Sequence, residues 1–388
     1  MKYLVDLGSD LELSLAELIT VYPNLEIEVV GKNYVIAEAE NWDYKEAIHR
    51  LAGTRRIGEL IFEGKNFEEF SLSEKIDFNK VPNKINYSIN NFNLNNENVK
   101  KFRKKVLKEI KNQGIKAFLK KPSHKKENIL SPSDFYKKNV DIELNLIKSK
   151  KMCVFLTKCV FNHGMYEKRD KEMPVKRYSQ AISIRLARIM INLSSAKKEE
   201  TLLDPFCGVG TILTEAVLMG LKVIGTDISF DCVRDSRKNL EHITNKDRKK
   251  FNIIRSDAKA IAQTFYENKL NKVAAVVSEP YMGPLIKEPL TFKEIMEIKK
   301  KLELLYKEFF FSANKILKQY GRIVFITPVF IAQNKKKFHI NMYSIIKDVD
   351  LKIVNPLFGI IKNFEMPFYY KRPDHKIGRE IWVLQKFK

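Results

Sequence analysis

The sequence predicts an α/β fold, with a doubly wound, mostly parallel sheet in its second half and a mixed α+β half before it. Three observations predict this. From residue 201 onward, short apolar runs alternate with segments of helical periodicity, as in a parallel sheet with crossover helices. Those runs deliver polar residues at their ends, Asp204, Asp227, Asp257 and Ser278. The first 65 residues follow the order strand, helix, hairpin, helix, strand.

In that first stretch, residues 3–7 read as a strand, 14–22 as a helix, 26–39 as a hairpin, 44–51 as a helix and 58–62 as a strand, in ferredoxin-like order. An asparagine-rich segment, 83–98, leads to a helix over 99–113, in which Phe102, Val106 and Ile110 recur at helical spacing among lysines. Residues 141–147 and 151–159 read as strands. Between helix and strands lie Lys116, Lys120, Lys121, Lys125 and Lys126. Such a run is either a solvated face or a docking surface for a polyanion. Residues 161–179 carry Asn162, Gly164 and Pro174 and read as a polar linker, and 183–193 as an amphipathic helix.

Asp204-Pro205-Phe206-Cys207-Gly208-Val209-Gly210-Thr211 reads as a strand end, a glycine turn and the start of an apolar helix over 211–218. Its spacing is not that of a phosphate-gripping loop, and the Asp204 carboxylate would repel a pyrophosphate, so a cationic small molecule fits better. Asp227, followed by Ile228, stands at the tip of the next strand, where a carboxylate can accept both hydrogen bonds of a ribose diol. Asp257, followed by Ala258, stands at a third strand end; it either reaches an adenine amino group or caps the helix after it. The valine-alanine run 273–277 is a strand buried on both faces, and it delivers Ser278-Glu279-Pro280-Tyr281 to the same edge, where an aromatic can hold a flat base. A helix over 292–316, a strand over 321–328, a helix over 343–349 and a strand over 380–384 complete the sheet.

Taken in order, these motifs resemble those of class I S-adenosylmethionine (SAM) dependent methyltransferases of the amino-methylating branch. Over most of its length the chain is similar to the THUMP-containing tRNA guanosine N2-methyltransferases of archaeal type, including Arg169-Asp170, residues 186–193 and residues 370–381. The resemblance implies a ferredoxin-like domain over 1–65, a THUMP RNA-binding domain over 66–162, a linker over 163–180 and a Rossmann-like methyltransferase domain over 181–388. It implies SAM as cofactor, contacted by Asp204, Phe206, Cys207, Gly208, Gly210, Thr211, Asp227, Ile228, Asp257 and Ala258. It also implies catalysis by Ser278, Glu279, Pro280 and Tyr281, and tRNA as partner at Lys116, Lys120, Lys121, Lys125, Lys126 and Arg372. One motif departs from the family, which usually has Asp or Asn before two prolines where this chain has Ser278 and Glu279. A serine hydroxyl can accept a hydrogen bond from the target amine. Glu279 either supplies the carboxylate from the neighbouring position or caps a loop.

Composition agrees with a polyanionic partner: the formal net charge is +23 and 44% of residues are hydrophobic, enough for ordinary cores. An AT-rich genome would also enrich lysine. The four cysteines, at 153, 159, 207 and 232, form no Cys-x-x-Cys pair, which argues against a zinc site or disulfide framework and for a reducing compartment. No apolar run approaches the length of a membrane span. The expectation is a cytoplasmic, monomeric, metal-free enzyme. Two other readings stay open: an RNA-binding protein with a silent catalytic domain, and an amino-methyltransferase of another nucleic acid, rRNA or DNA.

Overall fold

Short apolar runs near the amino terminus become β1 (Lys2–Leu7), β2 (Glu26–Val30), β3 (Tyr34–Glu38) and β4 (Thr54–Gly64), with α1 (Leu11–Val21) and α2 (Tyr44–Arg50) between them. The computed structural model describes the chain except Ser9, Lys125, Lys126, residues 177–181, Lys287, Pro289, residues 372–376, Lys388 and the side chain of Asp170. It divides into two units, Met1–Ser14 with Tyr22–Lys171, and Leu15–Val21 with Glu172–Lys388.

The first unit continues through β5 (Lys84–Asn91), α3 (Asn96–Asn112), β6 (Lys116–Leu119), α4 (Pro132–Lys137), β7 (Ile142–Lys148) and β8 (Met152–Val160). Strand order β2-β3-β1-β4 has the ferredoxin-like arrangement expected. The sheet then continues as β8-β7-β5-β6, because β4 pairs antiparallel with β8, so residues 1–65 and 66–162 share one eight-stranded sheet. Val99, Phe102, Val106 and Ile110 form the buried stripe of α3. Buried charges link three strands: Arg56 Nε donates to Asp6 Oδ2 at 2.8 Å, and its Nη1 lies 2.6 Å from Glu143 Oε1, an ionic contact outside hydrogen-bond geometry. Arg56 also donates through Nη2 to the Leu130 carbonyl.

Where the sequence predicts an irregular linker, α5 covers His163–Glu172. Gly164 falls in its first turn, where Asn162 Oδ1 accepts the Gly164 amide at 3.0 Å, so the glycine does not break the helix. Pro174 lies just past its end.

The second unit comprises α6 (Ile184–Leu193), β9 (Thr201–Asp204), α7 (Thr211–Leu218), β10 (Lys222–Asp227), α8 (Phe230–Ile243), β11 (Phe251–Arg255), α9 (Ile261–Glu267) and β12 (Val273–Ser278). After these come α10 (Phe292–Ile316), β13 (Leu317–Ile331), β14 (Lys337–Phe338), α11 (Met342–Ile346), β15 (Leu351–Ile353), β16 (Phe368–Tyr370) and β17 (Gly378–Lys386). The sheet runs β11-β10-β9-β12-β13-β17-β15, with β9 to β13 parallel and β17 antiparallel to β13. The chain winds outward from β9 to β11, then returns to β12 on the other side of β9. That reversal opens a crevice at the carboxyl ends of β9 and β12, where open α/β sheets bind ligands. Behind it the core is aromatic: Phe309 and Phe325 stack at 5.4 Å, with Tyr306 and Phe310 packed edge-on against Phe325.

Candidate active site

The turn after β9 is shaped by its two glycines. Gly208 has φ +52° and open space where a Cβ would stand, so its backbone faces room for a ligand. Gly210 has φ +85°, and a Cβ there would meet Ser236 Oγ at 2.6 Å. Gly210 therefore serves close packing against α8. The crevice beside Gly208 is open to solvent and spans about 480 Å³ with that solvent included, and its walls include Asp204, Phe206, Cys207, Gly208, Thr211 and Glu279.

Asp204 is 2% exposed. Its Oδ1 accepts from Ser278 Oγ at 2.6 Å, across the β9–β12 junction, and from the Phe206 amide at 3.2 Å. Burial pushes the Asp204 carboxyl up to about 7; the Ser278 and Phe206 donors oppose the rise, and the charges of Asp227 and Glu279 add to it. Ser278 is fully buried and its hydroxyl is committed to Asp204. The side chain on the crevice wall is instead Glu279, whose Oε1 accepts from Arg379 Nε of β17 at 2.6 Å, both side chains being largely buried. Thus two carboxylates converge on the crevice, one backed by a hydroxyl and one by a guanidinium.

Other expected residues are distributed differently. Both oxygens of Asp227 accept backbone amides, Gly208 at 3.0 Å and Ser229 at 2.9 Å, so this carboxylate ties β10 to the glycine turn. Ile228 beside it is 64% exposed. Asp257 caps the turn after β11 through the Lys259 amide at 3.0 Å, the second of the two roles its position allowed, and Ala258 is packed into the core rather than presented to the crevice. Cys207 is buried, and burial followed by the charges of Asp204 and Asp227 drives its thiol well above its ordinary value, which removes it as a nucleophile. Tyr281 is 56% exposed, while its carbonyl accepts from the buried Tyr306 hydroxyl at 2.7 Å. Lys116 and Lys121 are exposed and Lys120 is half-buried in the first unit; Lys125, Lys126 and Arg372 lie outside the described residues.

Sequence reasoning missed Asn239 of α8. Its Nδ2 donates to the carbonyls of Val209 at 2.9 Å and Val175 at 3.0 Å, and its Oδ1 accepts the Val175 amide at 2.9 Å. One buried amide thus clamps the glycine turn. A mid-helix asparagine with no motif around it gives little signal in sequence. Asn239→Ala leaves half-buried backbone groups of Val175 and Val209 unmet, and denaturant unfolding is expected to show a loss of ~1–2 kcal/mol. Affinity for a crevice ligand should fall with it, and unchanged values on both measurements would refute the clamp.

Among the described residues no helix is long and apolar enough to cross a membrane, and no group of three or more His, Cys, Asp or Glu could hold a metal ion. Comparison with known proteins adds the following. An RMKL-like methyltransferase-domain family (UPF0020) matches residues 173–339, and a DNA methylase family matches residues 43–238. The chain is 30% identical over 324 residues to a tRNA (guanine(10)-N2)-dimethyltransferase of Methanothermobacter thermautotrophicus, an alignment covering 82% of this chain and 86% of that protein. It is 32% identical over 183 residues to the protein of the same name from Methanocaldococcus jannaschii, covering 45% and 48% of the two chains. In fold it is similar to TrmN from Thermus thermophilus, with a TM-score of 0.54 at 15% identity over 100% of both chains.

Proposed function

The chain belongs to the family of the tRNA (guanine(10)-N2)-dimethyltransferases, and on that premise we propose that it methylates the exocyclic N2 amine of a guanosine in tRNA, using SAM. The observation that carries this reading is the pair of carboxylates, Asp204 and Glu279, on one crevice at the switch point of the sheet. The crevice fits a nucleoside-bearing cation: open backbone at Gly208, negative side chains around it, and a buried carboxyl near 7 that a neighbouring positive charge would hold ionised. When bound there, SAM would supply an electrophilic methyl group on its sulfonium sulfur, which departs as a neutral thioether.

The rest of the chemistry is assigned to the chain's own residues. Asp204, fixed by Ser278, provides the charge that favours the cation. Asp227 shapes the turn through Gly208, and Ile228 offers an exposed apolar surface beside it. Glu279, oriented by Arg379, accepts a hydrogen bond from the target amine, aligns its lone pair and takes the proton that methylation releases. Tyr281 stacks on the guanine after it is turned out of the RNA. Positioning dominates, because the leaving group needs no activation. The first unit is assigned as the THUMP-bearing, RNA-binding half, in which Lys116, Lys120 and Lys121 contact the phosphate backbone.

The test is to incubate the protein with isotope-labelled SAM and unmodified tRNA transcripts, and in parallel with duplex DNA, then digest and identify methylated nucleosides by mass spectrometry. Labelled N2-methylguanosine is the expected product. Label in the DNA alone would favour the reading suggested by the DNA methylase match, and no label despite SAM and tRNA binding would mark a silent catalytic domain.

A further inference from the structure

Beyond the catalytic crevice, the second unit carries a basic hairpin. Strand β13 runs parallel to β12, with Phe325 in register with Ser278, and continues six residues further to Ile331. At a rise of ~3.3 Å per residue it reaches ~20 Å past Ser278 on the crevice edge of the sheet. There it turns back into β14, with Phe330 opposite Phe338 and Ile331 opposite Lys337. The turn is tight: the Lys335 amide donates to the Ala332 carbonyl at 2.9 Å and the Lys336 amide to Asn334 Oδ1 at 3.1 Å. It presents Lys335, Lys336 and Lys337, all exposed and none in an ion pair among the described residues.

The hairpin is joined to the catalytic loop and backed by aromatic rings. A parallel bridge between Leu290 and Ala332 ties its base to the segment that begins at Tyr281. Lys337 Nζ lies 4.4 Å from the ring centre of Tyr369, which is 43% exposed. Lys336 Nζ stands 5.7 Å from the Phe338 ring, which packs 5.5 Å from the exposed Phe292. Tyr369 sits on β16, whose next residue, Tyr370, is in register with Arg379, the partner of Glu279. Three uncompensated cations and a partly exposed ring, on the side of the sheet to which the crevice opens, match a strand of nucleic acid, whose phosphates meet lysines and whose bases stack on aromatics.

Resting on the functional reading above, we propose that the 332–337 hairpin and Tyr369 form an RNA grip on the catalytic unit, holding the strand next to the nucleotide that enters the crevice. The lysines contact two or three phosphates and Tyr369 stacks a neighbouring base. The grip is separate from the lysines of the first unit.

The test measures binding of an unmodified tRNA transcript against salt concentration for wild type, for Lys335, Lys336 and Lys337 all changed to Ala, and for Lys246, Lys249 and Lys250 all changed to Ala. The last three are exposed lysines before β11, at the opposite edge of the sheet. Removing the grip is expected to lower the slope of log affinity against log salt by ~1.5–2, at roughly 0.7 per phosphate contact on a single strand, and the control triple by less than about 0.7. Tyr369→Ala should weaken tRNA binding by ~5- to 100-fold, with Tyr369→Phe restoring it. SAM titration reports whether each variant is folded, and changing the same lysines to Gln serves as a second set. An unchanged slope, or an equal loss in the control triple, would overturn the grip, as would duplex DNA competing as well as tRNA. A wild-type protein that binds no tRNA would instead remove the functional reading itself.

Discussion

Glu279→Gln is expected to lower turnover by ~10²- to 10⁴-fold while SAM affinity changes by no more than about threefold, the loss typical of removing a positioned proton acceptor. Glutamine keeps the length of the side chain and an oxygen for Arg379 Nε, so the 2.6 Å contact across β12 and β17 survives. What it cannot do is accept the amine proton. Single-turnover methyl transfer at saturating tRNA and SAM, with a separate SAM titration, resolves the two effects. Turnover close to wild type would assign Glu279 to loop support and leave the role of acceptor to a backbone carbonyl of the 278–281 motif. A parallel loss of SAM affinity would place Glu279 in the cofactor wall.

Asp204→Asn should weaken SAM binding by ~10- to 100-fold, the value of a charge-assisted contact near a cation, and should remove a pH dependence that the wild type shows. In the wild type the carboxyl is raised from 3.8 to about 7 in the folded state. Between those values the native protein holds a proton that the unfolded chain has released, so this group makes stability fall as pH rises from about 4 to about 7. SAM binding has the opposite slope, because only the carboxylate favours the cation: affinity should climb as pH passes 7 and then level off. The asparagine variant keeps a partner for Ser278 Oγ but titrates nowhere in this window. It should be no less stable than wild type at pH 8, and its SAM affinity should be flat from pH 6 to 8. Calorimetric titration across that range checks it, and a wild-type affinity independent of pH would show that Asp204 does not face the cation.

Much of the fold could be read directly from the residues. Helix α7 begins at Thr211 and ends at Leu218 because Gly210, in the left-handed region, starts it and Gly220 follows its end. Helix α10 spans Phe292–Ile316 as its periodicity predicts, closed at the front by a capping box between Thr291 and Glu294. Strand β13 was harder to bound. Its polar start, Lys318-Gln319-Tyr320, and its extension to Ile331 follow from pairing with β12, β17 and β14 rather than from local pattern.

The site was legible in outline and not in its wiring. Gly208, Asp204 and Glu279 announced themselves by position at strand ends. Arg379 stands in the 370–381 stretch that resembles the family, but its partner was not legible, since Glu279 lies 100 residues away. Asn239 and the hairpin lysines carry no motif. By itself, the sequence determined the order of the strands and helices, the glycine turn and the acidic strand tips, because these depend on local periodicity and backbone conformation. Only the tertiary structure decided that Ser278 spends its hydroxyl on Asp204, that Arg379 holds Glu279 at the crevice and that β4 joins β8 in one sheet. Those outcomes depend on which strands become neighbours, and a buried carboxylate acquires its partner and its proton affinity only when another strand closes over it.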